Sequence, residues 1–152
     1  MCASTCAQAT KTKFRVLYLG ADLELIDRVK KTLTEADYQI VSCADRESAI
    51  TFLKSDISYE LLLIDFEWRD REGLKLASMA RLLKHRKRMP ILLVTATELS
   101  RRLKVLARNA GVNECVTKTP NFDAIIEAIR RISSRWTQKE GDDPRTDTKR
   151  SS

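Results

Sequence analysis

Three polar residues that could do chemistry each come directly after a short run of strand-forming residues: Asp65, Thr95 and Lys118. If these runs are parallel strands, the three side chains lie at the carboxyl edge of one sheet, where such sheets place ligand and chemical sites. A carboxylate and an ammonium can pair there, and Asp65 and Lys118 alone sum to zero charge. A fourth run ends in Gly20-Ala21-Asp22, which places a second carboxylate near the same edge.

The sequence offers little for other kinds of chemistry. The only histidine is His85, and the four cysteines form no CxxC pair, so no metal site is predicted. Cys43 and Cys115 lie in apolar runs and are predicted to be small core residues of a reduced, cytoplasmic protein. The chain has no serine–histidine or cysteine–histidine set and no glycine-rich phosphate loop, so the sequence argues against an enzyme.

The elements that must position these residues are visible as a regular alternation. Short apolar runs alternate with longer segments in which apolar residues recur every three or four positions, as in Leu25, Val29 and Leu33. This pattern is typical of an α/β fold of (βα)₅ type, a five-stranded parallel sheet with helices on both faces. Three runs are continuously apolar and are predicted to be covered on both faces, while the second alternates and is predicted to be an edge strand. The predicted strands are 16–19, 38–43, 61–64, 91–94 and 114–117.

The two ends of the chain differ from this regular part. Residues 1–12 are small and polar and are predicted to be a flexible leader, with no secretory signal pattern. Residues 137–152 contain no aliphatic side chain and are predicted to be a disordered polar tail. The domain is therefore predicted to occupy residues 13–136. No apolar run approaches the roughly 20 residues of a membrane span.

Three motifs follow one another along the chain: Asp65 with Gly73 eight residues later, the run 90–96 that ends in Thr95-Ala96, and the run 110–118, which leads from Ala-Gly-Val-Asn to Thr-Lys. In this order of motifs the sequence resembles a response-regulator receiver domain, a CheY-like module, over about residues 14–133. The resemblance implies a flavodoxin-like fold with strand order 2-1-3-4-5.

The resemblance also implies roles for individual residues. Asp65 matches the aspartate that accepts a phosphoryl group from a histidine kinase, and Lys118 matches the lysine that pairs with the phosphoryl oxygens. Thr95 matches the switch hydroxyl that bonds those oxygens, and Ala96 matches the small residue that leaves room for the group.

Several positions depart from the family pattern. The two acidic residues that hold Mg²⁺ in the family are here Gly20 and Ala21. Asp22 and Glu67 are the possible substitutes for them. The aromatic switch residue three positions before the lysine is Cys115. A cis Lys118–Thr119 bond would cost several kcal/mol where the family has lysine–proline, so this loop is predicted to differ.

These departures favour a divergent receiver, or pseudo-receiver. Such a module acts through protein contacts and independently of phosphorylation, with no cofactor and with a histidine kinase or a downstream effector as partner. A homodimer through the fourth helix, fifth strand and fifth helix is a further option. The first alternative is a working receiver that is phosphorylated on Asp65 and uses Mg²⁺ in a rearranged site.

The second alternative, a basic nucleic-acid-binding adaptor, comes from the net charge of +7. The cations concentrate in two clusters, residues 84–88 and residues 101–108. Nucleic-acid recognition usually adds a recognition helix or an aromatic stacking platform, and the sequence predicts no second domain that would supply a helix-turn-helix, so nucleic acid is the less favoured partner.

Overall fold

The computed structural model describes residues 14–33, 38–66 and 72–141, with side chains up to residue 135. Five strands and five helices alternate along the chain. The strands are β1 Phe14–Leu19, β2 Tyr38–Cys43, β3 Leu61–Asp65, β4 Ile91–Thr95 and β5 Glu114–Thr117. The described helices are α1 Leu23–Thr32, α2 Arg46–Lys54, α3 Gly73–Leu82, α4 Arg101–Asn109 and α5 Asp123–Gly141, with a 3₁₀ turn at Lys84–Arg86.

All strand pairs are parallel, and the strand order is β2-β1-β3-β4-β5. The predicted fold class and order are therefore confirmed. The second strand is an edge strand, as its alternating pattern predicts, because β2 pairs only with β1. The central strands β1, β3 and β4 are the continuously apolar ones, since side chains on both of their faces are buried.

Two apolar cores lie on the two faces of the sheet. On one face Leu17, Ile64 and Leu93 pack against α2, α3 and α4. On the other face Val16, Leu63 and Val94 pack against α1 and α5. No helix among the described residues is long and apolar enough to span a membrane.

Side chains cap three of the helices at their first turn. Asp22, Asp45 and Ser100 each accept a hydrogen bond from the amide three residues later, at the starts of α1, α2 and α4. Helix α5 begins at Asp123, and the residue before it, Phe122, has φ 59° and turns the chain into the helix.

The far end of α5 also differs from its prediction. The helix continues to Gly141 and so includes residues 137–141, which the composition assigns to a polar tail. The predicted leader and residues 142–152 lie outside the described residues.

A close approach of α3 to the sheet explains the glycine eight residues after Asp65. A Cβ on Gly73 would meet Cγ2 of Ile64, a buried residue of β3. The first turn of α3 can lie this close to the strand only without a side chain at position 73.

Two arginines bind backbone carbonyls at the opposite, amino edge of the sheet. Arg86 is only 3% exposed and donates to the carbonyls of Leu53, Ser55 and Ile57, in the last turn of α2 and just beyond it. Arg81 binds the carbonyls of Met89 and Gly111. These two cations therefore hold loops together and are not displayed as a charged surface.

Candidate functional site

The carboxyl edge of the sheet brings together the residues that end the central and fifth strands. Asp65 is the last residue of β3 and is 7% exposed, and Thr95 is the buried last residue of β4. Lys118 follows β5, and its amide donates to the carbonyl of Thr95 at 2.8 Å. Ala96, the next residue after Thr95, is exposed.

Lys118 is the centre of the site because its ammonium contacts two carboxylates. Its Nζ lies 2.9 Å from Oδ2 of Asp22 and 3.3 Å from Oδ2 of Asp65. Asp22 also caps α1, since its Oδ1 accepts from the amide of Leu25 at 3.1 Å. Two carboxylates and one ammonium give this trio a net charge of −1, where Asp65 and Lys118 alone would sum to zero.

Of the two predicted substitutes for the acidic pair, the structure describes only Asp22. Asp22 does reach the site, as the cap of α1 and as a partner of Lys118. Glu67 lies outside the described residues. Cys115, at the position of the family's aromatic switch, is half-buried on β5.

Tyr18 is the site residue that sequence reasoning missed. It lies in β1 and was counted as part of an apolar run, yet its hydroxyl reaches the carboxyl edge. The hydroxyl accepts from the amide of Asp22 at 3.2 Å and makes a long contact of 3.5 Å to Oδ2 of Asp65. The available signal was chemical, because a phenol in a buried strand needs a hydrogen-bond partner.

Tyr18 also explains why position 20 carries no side chain. A Cβ on Gly20 would lie 2.8 Å from Cβ of Asp65 and closer still to the Tyr18 ring and hydroxyl. An acidic side chain at position 20 and Tyr18 in its present position therefore exclude each other. The neighbouring Ala21 is exposed.

The charges and burial of the site shift three pKa values. Burial raises the pKa of Tyr18, and the two nearby carboxylates add to that rise, well above its usual range. Burial alone would lower the pKa of Lys118, but the hydrogen bond to Asp22 and the charge of Asp65 outweigh it and raise that pKa. Burial acts to raise the pKa of Asp22, but the bonds from Lys118 and the Leu25 amide bring it below its usual value.

Stability is therefore expected to fall in alkali, partly through Tyr18. When folding raises the pKa of an acidic group, the resulting stabilisation is fully present at pH values below the pKa of that group in the unfolded chain, which is 10.0 for tyrosine. The stabilisation is lost as the pH rises above that pKa. The stability difference between the wild type and Tyr18→Phe should stay constant from neutral pH to about pH 10 and shrink above it. Urea unfolding midpoints of both proteins across this range measure the difference.

Other groups lose protons in the same pH range, such as Cys43, whose pKa burial raises to about 11. They contribute equally to the stability of the wild type and of Tyr18→Phe, so their contributions cancel in the difference. A difference that is the same at the highest pH as at neutral pH would show that the Tyr18 hydroxyl is not held in its protonated form by the fold.

Taken together, the sheet order, the helices on both faces and the aspartate–lysine site at the carboxyl edge define a flavodoxin-like α/β domain. The model of the family described as "Response regulator receiver domain" matches residues 18–130. The chain belongs to that family, whose members are signalling domains of two-component systems that interact with kinases and effectors.

Solved structures with the same fold come from several microorganisms. A CheY-like receiver domain protein of Methanospirillum hungatei has 23% identity and a TM-score of 0.67, covering 84% of this chain and 99% of its own. The chemotaxis response regulator CheY4 of Vibrio cholerae has 21% identity and a TM-score of 0.68, covering 80% and 99%. A response regulator protein of Burkholderia multivorans has 27% identity and a TM-score of 0.62, covering 79% and 94%. The comparison with curated proteins finds no match to this chain.

Proposed function

We propose that this receiver domain is a pseudo-receiver, which works by presenting a fixed surface to a protein partner and does not switch by phosphorylation. The observation that carries the proposal is the position of Tyr18. Its ring and hydroxyl fill the space that a side chain at Gly20 would need, beside Asp65. The site is built around a phenol where the family pattern has a carboxylate.

The donor set at the site supports the same proposal, because it does not fit Mg²⁺. The ion needs near-octahedral oxygen ligands, normally one or two carboxylates with waters and phosphate. Both described carboxylates at this edge, Asp22 and Asp65, are in contact with the ammonium of Lys118. A cation placed between them would be repelled by Lys118 and would have to displace it. Gly20 and Ala21 could add only backbone oxygens.

A second candidate, a working phosphoacceptor, is favoured by one specific arrangement. Asp65, Thr95 and Lys118 stand together at the carboxyl edge, as the family roles require. Phosphoryl transfer to Asp65 would add about two negative charges beside Asp22, and among the described residues Lys118 is the cation in contact with both carboxylates that could offset them.

Incubation with Mg²⁺ and a small phosphodonor such as acetyl phosphate is therefore expected to leave the intact mass unchanged. Beryllofluoride, which mimics a phosphoryl group on aspartate, is expected to leave the amide NMR shifts of residues 95–118 in place. A receiver with the full acidic pair, treated in parallel, confirms that the reagents are active.

A stoichiometric gain of one phosphoryl group that disappears in Asp65→Asn would overturn the pseudo-receiver proposal and establish the phosphoacceptor.

The remaining candidate, nucleic-acid binding, has less support because two residues of the basic cluster 84–88 contact backbone carbonyls of the protein itself. Arg86 points inward and is satisfied by carbonyl oxygens, and His85 lies within hydrogen-bond distance of the carbonyls of Leu53 and Ser55. Lys84, Lys87 and Arg88 remain exposed.

A further inference from the structure

A cleft opens at the amino edge of the sheet, at the opposite end of the strands from Asp65. It lies between the residues that lead into β3, β4 and β5 and the second half of α5, and its volume is about 620 Å³. Small-molecule sites usually measure roughly 300–1,000 Å³ and combine an apolar surface with a few polar groups. We call it the amino-edge cleft; its lining includes Tyr59, Arg88, Met89 and Arg135.

The floor of the amino-edge cleft is apolar. Met89 and Ile132 are both buried and line it together with the half-buried Pro90. Met89 belongs to the core on one face of the sheet and Ile132 to the core on the other face. The cleft therefore crosses the end of the sheet, and a hydrocarbon group placed in it would be removed from water against both cores.

The hydrogen-bond acceptors of the cleft are already engaged within the protein. Glu60 accepts from the amide of Arg15 at 2.7 Å. Glu114 binds Arg131 with both carboxylate oxygens, at 2.8 and 3.1 Å. Oδ1 of Asn113 accepts from the first backbone amide of β4 at 2.7 Å. A cationic ligand would therefore have to displace an existing bond to find an acceptor here.

Three donors of the cleft, in contrast, have no such partner. Arg88 and Arg135 are exposed, and no carboxylate of the described residues lies at ion-pair distance from either. Tyr59 is only 5% exposed, yet its hydroxyl makes no hydrogen bond to the described residues. The contacts of Tyr59 with Phe52 and Arg86 involve its ring. Because a buried phenol normally has a hydrogen-bond partner, the cleft offers donors for an acceptor that comes from outside.

We propose that the amino-edge cleft binds a small organic carboxylate whose body is an apolar ring. The ring would lie on Met89 and Ile132, while the carboxylate would accept hydrogen bonds from the Tyr59 hydroxyl and from the guanidinium groups of Arg88 and Arg135. A carboxylate is favoured over a neutral polar group because it gives both arginines a counter-charge as well as an acceptor.

The same features disfavour two other ligands. A nucleic acid would use the two arginines, but it has no group that requires the buried Tyr59 hydroxyl or the apolar floor. An inorganic anion would also leave the floor uncovered. The proposal does not rest on the state of Asp65, so it stands or falls separately from the pseudo-receiver proposal.

A pair of matched probes tests this ligand chemistry. 2-Naphthoate is titrated into the ¹⁵N-labelled full chain, and 2-naphthamide, which has the same ring and no charge, is titrated in parallel. The naphthoate should move the amide shifts of residues 59–60, 88–89 and 113–114 to saturation, with a dissociation constant on the order of 1 mM. The amide should bind at least about tenfold more weakly, and inorganic phosphate at the same concentrations should leave these shifts in place.

Two variants and a matched control locate the contact. Tyr59→Phe keeps the ring and removes the hydroxyl, so it should weaken naphthoate binding about threefold without lowering the urea unfolding midpoint. A purely structural tyrosine would give the reverse pattern. Arg88→Met with Arg135→Met should weaken binding about tenfold. Arg101→Met with Arg102→Met removes the same charge from α4 and should leave the affinity within about twofold.

Three results would overturn the proposal. The first is an equal dissociation constant for 2-naphthoate and 2-naphthamide, which would make the cleft a purely apolar site. The second is inorganic phosphate that moves the same amides as strongly as the naphthoate does. The third concerns the protein without added ligand: if Asp142→Asn with Asp143→Asn moves these amides, acidic residues that follow α5 already occupy the cleft.

Discussion

Replacing Arg86 by Met is expected to lower the free energy of unfolding by about 3 kcal/mol, which is a large part of the stability of a domain of this size. The guanidinium is 3% exposed and donates from Nε to Leu53 O at 2.9 Å and from Nη2 to Ile57 O at 2.6 Å and Ser55 O at 3.1 Å. Methionine keeps much of the packing but removes the Arg86 donors from these carbonyls, of which those of Leu53 and Ser55 also lie within hydrogen-bond distance of His85 Nε2.

The position of Arg86 at the end of α2 adds an electrostatic contribution. The last carbonyls of a helix carry partial negative charge, and a partly buried cation beside them contributes up to about 2 kcal/mol. Burial also lowers the pKa of Arg86, because the buried guanidinium has lost part of its hydration. Its Cζ atom lies 5.2 Å from the centre of the Tyr59 ring, so the ring covers the same cation.

Urea unfolding of Arg86→Met and of Lys87→Met provides the measurement and its matched control. Lys87 is the next residue in the same basic cluster but is exposed, so its substitution should change stability by no more than about 0.5 kcal/mol. The unfolding midpoint of Arg86→Lys should fall between those of Arg86→Met and Lys87→Met, because one ammonium cannot reach all three carbonyls with the same geometry. Equal midpoints for Arg86→Met and Lys87→Met would show that Arg86 is not a structural residue.

Gly20→Ala is the second substitution with a large expected effect, because it should lower the free energy of unfolding by about 2 kcal/mol. The added methyl group would lie 2.8 Å from Cβ of Asp65 and would also meet the ring and hydroxyl of Tyr18. The site can make room only if both the Tyr18 ring and Cβ of Asp65 shift, and a shift of the ring breaks the bond from the Asp22 amide to the phenol oxygen.

A double-mutant cycle with Tyr18→Leu isolates this conflict. If the Tyr18 side chain is the main obstacle, Gly20→Ala should cost at least about 1 kcal/mol less in the Tyr18→Leu background than in the wild type. Ala21→Ser is the control, since position 21 is exposed and should tolerate the change. Additive losses would show instead that Asp65, and not Tyr18, keeps position 20 free of a side chain.

The cycle also bears on function. If the obstacle is Tyr18, then Gly20→Asp is tolerated only when Tyr18 is replaced, and the acidic position of the family pattern can be rebuilt only by changing both residues. The absence of that carboxylate is then a coupled feature of β1, because two residues of one strand determine it together.

The sequence by itself determined the architecture and the positions of three site residues. Three kinds of pattern were sufficient to predict the architecture: the continuous apolar runs of β1, β3 and β4, the alternating run of β2 and the helical spacing between the strands. They were sufficient because the periodicity of buried residues is a local property of the chain. Asp65, Thr95 and Lys118 were found for the same reason, since each directly follows a run and parallel strands end at a common edge.

Only the tertiary structure decided how the side chains of that edge are paired and which basic residues are structural. The contact of Lys118 with Asp22 joins residues 96 positions apart, and the contact of Tyr18 with Asp65 joins residues 47 apart. In the same way Arg86 turns inward while Lys87 beside it faces solvent, although the sequence presents both as one charged cluster. Such contacts depend on the side chains that the fold brings near each other across the sheet, and no local spacing in the sequence encodes that proximity.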